Sequence, residues 1–196
     1  MDLRKRRSQK KLQVALAQHL QSQTIDAITI GELTRTAGVS RQTFYSNFDS
    51  KQSILLNRIE ALFEKSRVYF KPITQRDDLD RRKIIELGLR HLLEECDKDR
   101  TLMRAAFTGQ AGIQCLSLLK SLVSKLIADR ILMLREISYN FDDEQLDVIA
   151  DFYAGALIGT IQGWLVDEPG VKSMDTVVNT VVRLFPNGLD SFITKQ

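Results

Sequence analysis

The segment from Thr29 to Lys51 constrains this chain most, because it carries the start, stop and restart signals of successive helices within a short span. Thr29 and Glu32 stand at the S/T-x-x-E spacing of a capping box, in which each side chain satisfies the other residue's unpaired backbone N–H. A helix is therefore predicted to start near Ile30 and to bury Leu33 and Ala37. Gly38 stops it, since glycine most readily takes positive φ at a helix end. Ser40 caps a second helix running from Arg41 to about Phe48. Asp49-Ser50 breaks that helix, and Ser50 caps a long one from Lys51 to about Phe70, which Pro72 ends. Two short helices around a Gly-containing turn make a helix-turn-helix. Ala37 is small enough for the helices to cross closely, and Val39 drops beneath the turn. Phe44 and Phe48, four residues apart, share the inward face.

Arg41, Gln42, Thr43, Tyr45, Ser46 and Asn47 are then left largely outward, and that set suits DNA. Arg pairs with a guanine edge, Gln with an adenine edge, and the Thr methyl meets a thymine methyl. Ser and Tyr hydroxyls, together with N–H groups at the helix start, suit phosphates. Charge supports this reading only when it is divided along the chain. The whole chain has 28 Lys+Arg against 25 Asp+Glu, a net charge of +3. Residues 1–51 hold 9 against 4, and the remainder 19 against 21. The basic excess therefore lies entirely in the first quarter, beside the helix-turn-helix. Lys51 opposes the dipole of the helix it starts, and a phosphate gives it a reason to be there.

Thr29-Ile30-Gly31-Glu32-Leu33, then Ala37-Gly38-Val39-Ser40-Arg41-Gln42-Thr43-Phe44-Tyr45-Ser46-Asn47-Phe48, then Ser50-Lys51, resembles the DNA-binding domain of TetR-family transcriptional regulators. The resemblance implies a homodimer whose N-terminal domain reads the major groove of a near-palindromic operator. It also implies a C-terminal domain that dimerises through its last two long helices and holds a small-molecule effector. By motif position, Thr29, Tyr45 and Lys51 would touch phosphates. Arg41, Gln42 and Thr43 would face bases, with Ser40, Ser46 and Asn47 on the same surface. Two positions depart from the pattern. Thr24 stands where many members have Gly closing the first helix, and Gly31 replaces a larger residue, which weakens one backbone contact. Phe152-Tyr153-Ala154-Gly155 with Gly163-Trp164-Leu165 is similar to the subset that includes dihydroxyacetone-kinase-operon regulators.

Helical periodicity continues on both sides of the motif. Leu12, Ala15, Leu16, His19 and Leu20 form one stripe of a first helix of about four turns. Further helices are predicted near 80–95, 100–107, 113–137, 143–166 and 174–185, the fourth of these capped by Asp142 with Gln145. The fold class is all-α with about nine helices, divided into a helix-turn-helix domain at 1–51 and a dimerisation and effector domain at 52–196. Gly155, Gly159 and Gly163 recur at i, i+4 and i+8 and favour close approach of another helix or a ligand. Packing within the subunit is the commonest use of such a line, ahead of a dimer contact or a pocket wall. Val177, Val178, Val181, Val182 and Phe185 give the last helix a wide apolar stripe. Pairing it with residues 143–166, repeated by symmetry, makes a four-helix interface. An effector pocket among the middle helices would draw on His91, Met103, Phe107, Gln114, Leu118, Tyr153 and Trp164, though each of them also suits an ordinary core.

Other functions find little support. No P-loop, G-x-G-x-x-G, G-x-S-x-G, H-E-x-x-H or C-x-x-C is present, so the chain is read as no enzyme, without cofactor or metal. Cys96 and Cys115 are isolated, which fits a reducing cytoplasm and action on the nucleoid. Uncharged runs stop at 15 residues, Ala105–Leu119 and Phe152–Val166, short of the roughly 20 that span a bilayer. The basic start leads into an amphipathic stretch broken by Gln13, Gln18 and His19, which is no signal peptide. The expected function is that of a transcriptional repressor released by an effector. The rivals are a regulator switched by a protein partner and an architectural nucleoid protein.

Overall fold

The computed structural model describes residues 3–74, 76, 78–138, 142–168 and 170–189. Among them the chain is all-α, with nine helices and no strand. They are α1 (Leu3–His19), α2 (Ile30–Ala37), α3 (Arg41–Tyr45), α4 (Lys51–Ile73), α5 (Arg81–Lys98), α6 (Arg100–Phe107), α7 (Gly109–Ser138), α8 (Asp143–Val166) and α9 (Met174–Leu189).

Boundaries set by explicit capping chemistry lie where the sequence puts them. Both arms of the capping box form at Thr29/Glu32 and at Asp142/Gln145, and Gly38 takes φ 60, ψ 42. Boundaries inferred from helix breakers move. α4 runs past Pro72 to Ile73, because a proline one residue from the end forfeits only the bond to the carbonyl of Val68, whose side chain is exposed. The expected loop at 96–99 shrinks to Asp99, whose carboxylate is taken by Arg58 at 2.6 Å instead of capping α6. The loop expected at 108–112 shrinks to Thr108, and α7 opens at Gly109. A Cβ at Gly112 would lie 3.2 Å from the Phe107 carbonyl carbon, so this glycine admits the end of α6 instead of breaking a helix. α9 continues to Leu189, beyond Phe185. The loop expected at 138–142 falls mostly outside the described residues.

The helices form two compact units, Met1–Leu62 with Cys96–Leu116, and Phe63–Glu95 with Ser117–Gln196. The first is built on Leu12, Leu16, Ile28, Leu33, Phe44, Ile54 and Leu55, all fully buried, with Met103 and Phe107 from α6 also inside. Cys96 and Cys115 are buried here, and burial pushes the Cys115 thiol up to about 11, so it stays protonated.

In the second unit the end of α4 and most of α5 run antiparallel, as the side-chain register shows. Phe70 lies on Gly88, the rings of Tyr69 and His91 stack at 3.8 Å, and Lys65 donates to buried Glu95 at 2.5 Å. α8 packs on α9, where the Tyr153 hydroxyl donates to the Phe185 carbonyl at 2.8 Å. Trp164 Nε1 donates to the Lys172 carbonyl at 3.1 Å. By length and composition alone, Ala111–Asp129 and α8 reach the apolar content of a bilayer span, although the uninterrupted uncharged runs do not. α8 uses much of that content for the core, through Ile149, Ala154, Ile158, Ile161 and Leu165. Lys120 of α7 and Asp151 of α8 pair at 2.8 Å.

Candidate nucleic-acid interface

Three capping events place the residues of the candidate surface. At the start of α2, Thr29 Oγ1 accepts from the Glu32 N–H at 3.2 Å and donates to Glu32 Oε2 at 2.6 Å. The Oγ1 bond, with the Thr29 N–H donated to the same Oε2 at 2.9 Å, holds the Glu32 carboxyl below its usual range. At the start of α3, Ser40 Oγ accepts from the Thr43 N–H at 3.0 Å. At the start of α4, Ser50 and Ser53 cap each other reciprocally. Between the first two events Gly38 reverses the chain, donating its N–H to the Arg35 carbonyl, while the Val39 N–H returns to Thr34. Phe44 and Phe48 point inward, with Tyr45 edge-on to Phe44. The first connection needs no glycine at Thr24. Successive turns leave α1, the Thr24 carbonyl accepts from Ala27, and positive φ occurs only at Gly38 and Gly170 among the described residues.

This places Thr29, Ser40, Arg41, Gln42, Tyr45 and Ser46 in solvent on one short stretch, with the Tyr45 side chain 57% exposed. Thr43 and Asn47 are half-buried, not outward as the helical pattern suggests. Asn47 Nδ2 donates to the Thr43 carbonyl at 2.7 Å and Ser46 Oγ to the same carbonyl at 2.9 Å. Those bonds close α3 after Tyr45, three residues before the expected end, and turn Asn47 back into the fold. Lys51 is also tied inward, its ammonium donating to the carbonyls of Asp26 at 3.0 Å and Ile28 at 2.5 Å. The unfavourable dipole position of Lys51 is thus partly offset inside the chain, by two of the three N–H groups of its ammonium.

Gly31 acquires a purpose that its departure from the family pattern did not reveal. A Cβ there would lie 2.9 Å from Arg41 Nη2, so the bare backbone of α2 is what lets the guanidinium fold back across it. The signal was present in the sequence only as an unexplained glycine near the start of a helix. On the reading that Arg41 faces a base, Gly31→Ala is expected to raise α2 stability slightly and to shift the guanidinium tip, changing base preference a few-fold at one position. Comparing the sites that each protein selects from random DNA checks this, and an unchanged preference would refute it.

The residues proposed for an effector are distributed over both units. Met103 and Phe107 are buried and Gln114 exposed in the first. His91, Tyr153, Trp164 and half-buried Leu118 belong to the second, His91 stacked on Tyr69, and Tyr153 and Trp164 with the hydrogen bonds given above. Among the described residues, no group of His, Cys, Asp and Glu has the geometry of a metal site.

Residues 14–57 match the family model described as "Bacterial regulatory proteins, tetR family", and residues 85–173 match "Transcriptional regulator C-terminal region" of the same family. The chain belongs to the TetR family. One curated relative of this TetR-family chain is the HTH-type transcriptional regulator EthR of Mycobacterium tuberculosis (strain ATCC 25618 / H37Rv). It is 24% identical over 111 residues, 56% of this chain and 51% of that protein. The chain thus spans about half the length of the curated relatives it matches. Among solved structures, the dihydroxyacetone kinase operon activator DhaS is similar with a TM-score of 0.64 at 20% identity, covering 95% of this chain and 98% of that one. RolR in complex with resorcinol is similar with a TM-score of 0.60 at 19% identity, covering 92% and 88%. At these identities the structural likeness concerns the fold.

Proposed function

We propose that this TetR-family chain is a homodimeric, sequence-specific DNA-binding regulator of transcription, a repressor released from its operator by a small molecule. The reading rests above all on the double-capped helix-turn-helix around Gly38, which leaves Arg41, Gln42 and Tyr45 in solvent on a basic segment. Arg41, Gln42 and Thr43 read bases; Thr29, Ser40, Tyr45, Ser46 and Lys51 hold phosphates; Asn47 fixes the end of α3. Residues 1–51 act as the reader, in the cytoplasm on the nucleoid, and 52–196 as the dimerising sensor.

The dimer reading is supported by α8. Val148, Phe152, Gly155 and Gly159 recur at i, i+4, i+7 and i+11; Val148 is 65% and Phe152 69% exposed. A Cβ at Gly155 or Gly159 would meet nothing within 4 Å, and at Gly163 only Lys172 Nζ, at 3.8 Å. The glycine line therefore serves no helix crossing within the described chain, contrary to the commonest use of such a pattern. A second copy on a two-fold axis would cover it and present two recognition helices to a near-palindromic site, about one DNA turn (34–36 Å) or a modest multiple of a half-turn apart. The effector reading draws on RolR, whose structure holds resorcinol, and on the stacked and hydrogen-bonded rings of His91, Tyr153 and Trp164 in the second unit. An effector that binds better to the conformation with misplaced recognition helices lowers operator affinity by that difference.

Selecting bound duplexes from a random pool tests the reading. The expected product is a near-palindrome with two half-sites. Arg41→Ala or Gln42→Ala should relax preference at single positions, whereas Tyr45→Phe or Lys51→Ala should weaken all sequences alike. Enrichment of no sequence while DNA is still bound would favour an architectural role.

A further inference from the structure

The most basic segment of the chain takes no part in the surface described above. Arg4, Lys5, Arg6, Arg7, Lys10 and Lys11 are helical and exposed on the first turns of α1. No Asp or Glu occurs between Leu3 and Ile25, so none of these cations has an acid within its own helix. Among the described residues, no ion pair involves Lys5, Arg6, Arg7, Lys10 or Lys11. Elsewhere cations are repeatedly paired, as in Arg58–Asp99, Lys65–Glu95, Arg90–Asp175 and Lys120–Asp151. The placement is unfavourable on two local grounds. Cations in the first turn oppose the helix dipole, and Arg6/Lys10, Arg7/Lys11 and Arg4/Arg7 stand at repelling i, i+3 or i, i+4 spacings.

The geometry nevertheless gathers them. With Leu12 and Leu16 turned into the core, Arg6, Arg7, Lys10 and Lys11 fall on an arc of about 140° on the opposite side of α1. From Arg4 to Lys11 the helix rises about 11 Å. A duplex presents about six phosphate charges over that length, against six cations here. α1 packs directly on α2 and α3, and His19 Nε2 bonds Thr36 Oγ1 at 2.9 Å, so the basic segment continues, within one helix, the unit that carries the reading surface.

We propose that the first turns of α1 form a second, sequence-independent DNA contact that lies along phosphates flanking the bases read by α3. The proposal rests on the DNA-binding reading and adds to it a site at Arg6, Arg7, Lys10 and Lys11. The partner is duplex DNA and not an anionic membrane because the cations are continuous with the reading unit and α1 buries Leu12, Ala15 and Leu16 in that unit, leaving only Leu3 and Val14 as exposed large apolar side chains.

The experiment compares the full chain with its Arg6→Ala/Arg7→Ala/Lys10→Ala/Lys11→Ala variant on a selected site, in a long duplex and in one trimmed to the half-sites. On the long duplex, the slope of log affinity against log salt should flatten by about 0.9 for each phosphate no longer neutralised, about two to four phosphates in all. Affinity should fall ten- to a hundredfold at low salt with the selected motif unchanged. Trimming should weaken the parent protein and leave the variant unaffected. Arg6→Lys/Arg7→Lys should keep the parent slope, and a matching thermal melt confirms that the alanine variant is folded. Equal affinity and slope with the motif retained would overturn the proposal alone. A parent protein that binds no duplex would overturn the DNA-binding reading with it. Loss of binding to phosphatidylserine vesicles, with DNA binding intact, would overturn it in favour of a membrane surface.

Discussion

A Phe152→Glu substitution is expected to leave the protein monomeric and to lower its affinity for a two-half-site duplex by at least a hundredfold. Phe152 is among the most exposed apolar side chains of the second unit, and it lies between Val148 and the bare backbone at Gly155 and Gly159. Burying a phenylalanine contributes roughly 1.5–3 kcal/mol, and on a two-fold axis each substitution counts twice. Glutamate forfeits that contribution and brings an unpaired charge to the same place. A monomer also loses the effective concentration by which one bound half-site holds the other, a factor of about 10²–10⁴. Gly155→Leu makes the sharper companion. Because a Cβ at 155 meets nothing within 4 Å in the single chain, the added side chain should leave the monomer folded and, by helix propensity, slightly more stable, while blocking a close second helix. Light scattering on a sizing column, beside operator titrations, checks both variants. A dimer that survives both would place the interface on another face.

The features legible from sequence were those in which one residue carries its own local chemistry. Thr29 with Glu32, Gly38, Ser40, and Asp142 with Gln145 each solve a hydrogen-bonding problem at a helix end, and each does so at the expected position. Pro72 and the loop expected at 108–112 misled because the effect of a proline or a glycine depends on position and neighbours. Pro72 lies so close to a helix end that little is lost, and Gly112 answers a close approach by Phe107. Periodicity locates an apolar face but not what covers it. α8 has a face of Ile149, Ala154 and Ile158 for its own core and another of Val148 and Phe152 in solvent, so the glycine line between Gly155 and Gly163 could not be assigned before the chain was folded. Of the candidate interface, Arg41, Gln42 and Tyr45 were placed correctly in solvent. The inward ties of Asn47 and Lys51 were hidden, because their acceptors are backbone carbonyls that no residue type announces.

Gly88 offers the second large effect, and its sign is diagnostic. Gly→Ala inside a helix ordinarily stabilises by about 1 kcal/mol. Here a Cβ would lie 1.6 and 1.9 Å from Cζ and Cε1 of Phe70, which no small adjustment relieves, so the ring must leave its place between α4 and α5. Overpacking of this kind costs about 1–3 kcal/mol, and Phe70 neighbours the Tyr69–His91 stack and the Lys65–Glu95 pair that hold the same seam. Gly88→Ala should therefore destabilise by about 1–2 kcal/mol net, lowering the melting temperature by roughly 2–8 °C for a chain of this size. Phe70→Ala empties the space first, and in that background the same Gly88→Ala change should become stabilising by up to about 1 kcal/mol. Urea unfolding of the four proteins in this cycle measures the coupling. A Gly88→Ala effect of the same sign and size in both backgrounds would mean that Phe70 does not rest on Gly88 in solution, and that the register of α4 against α5 differs from the one described.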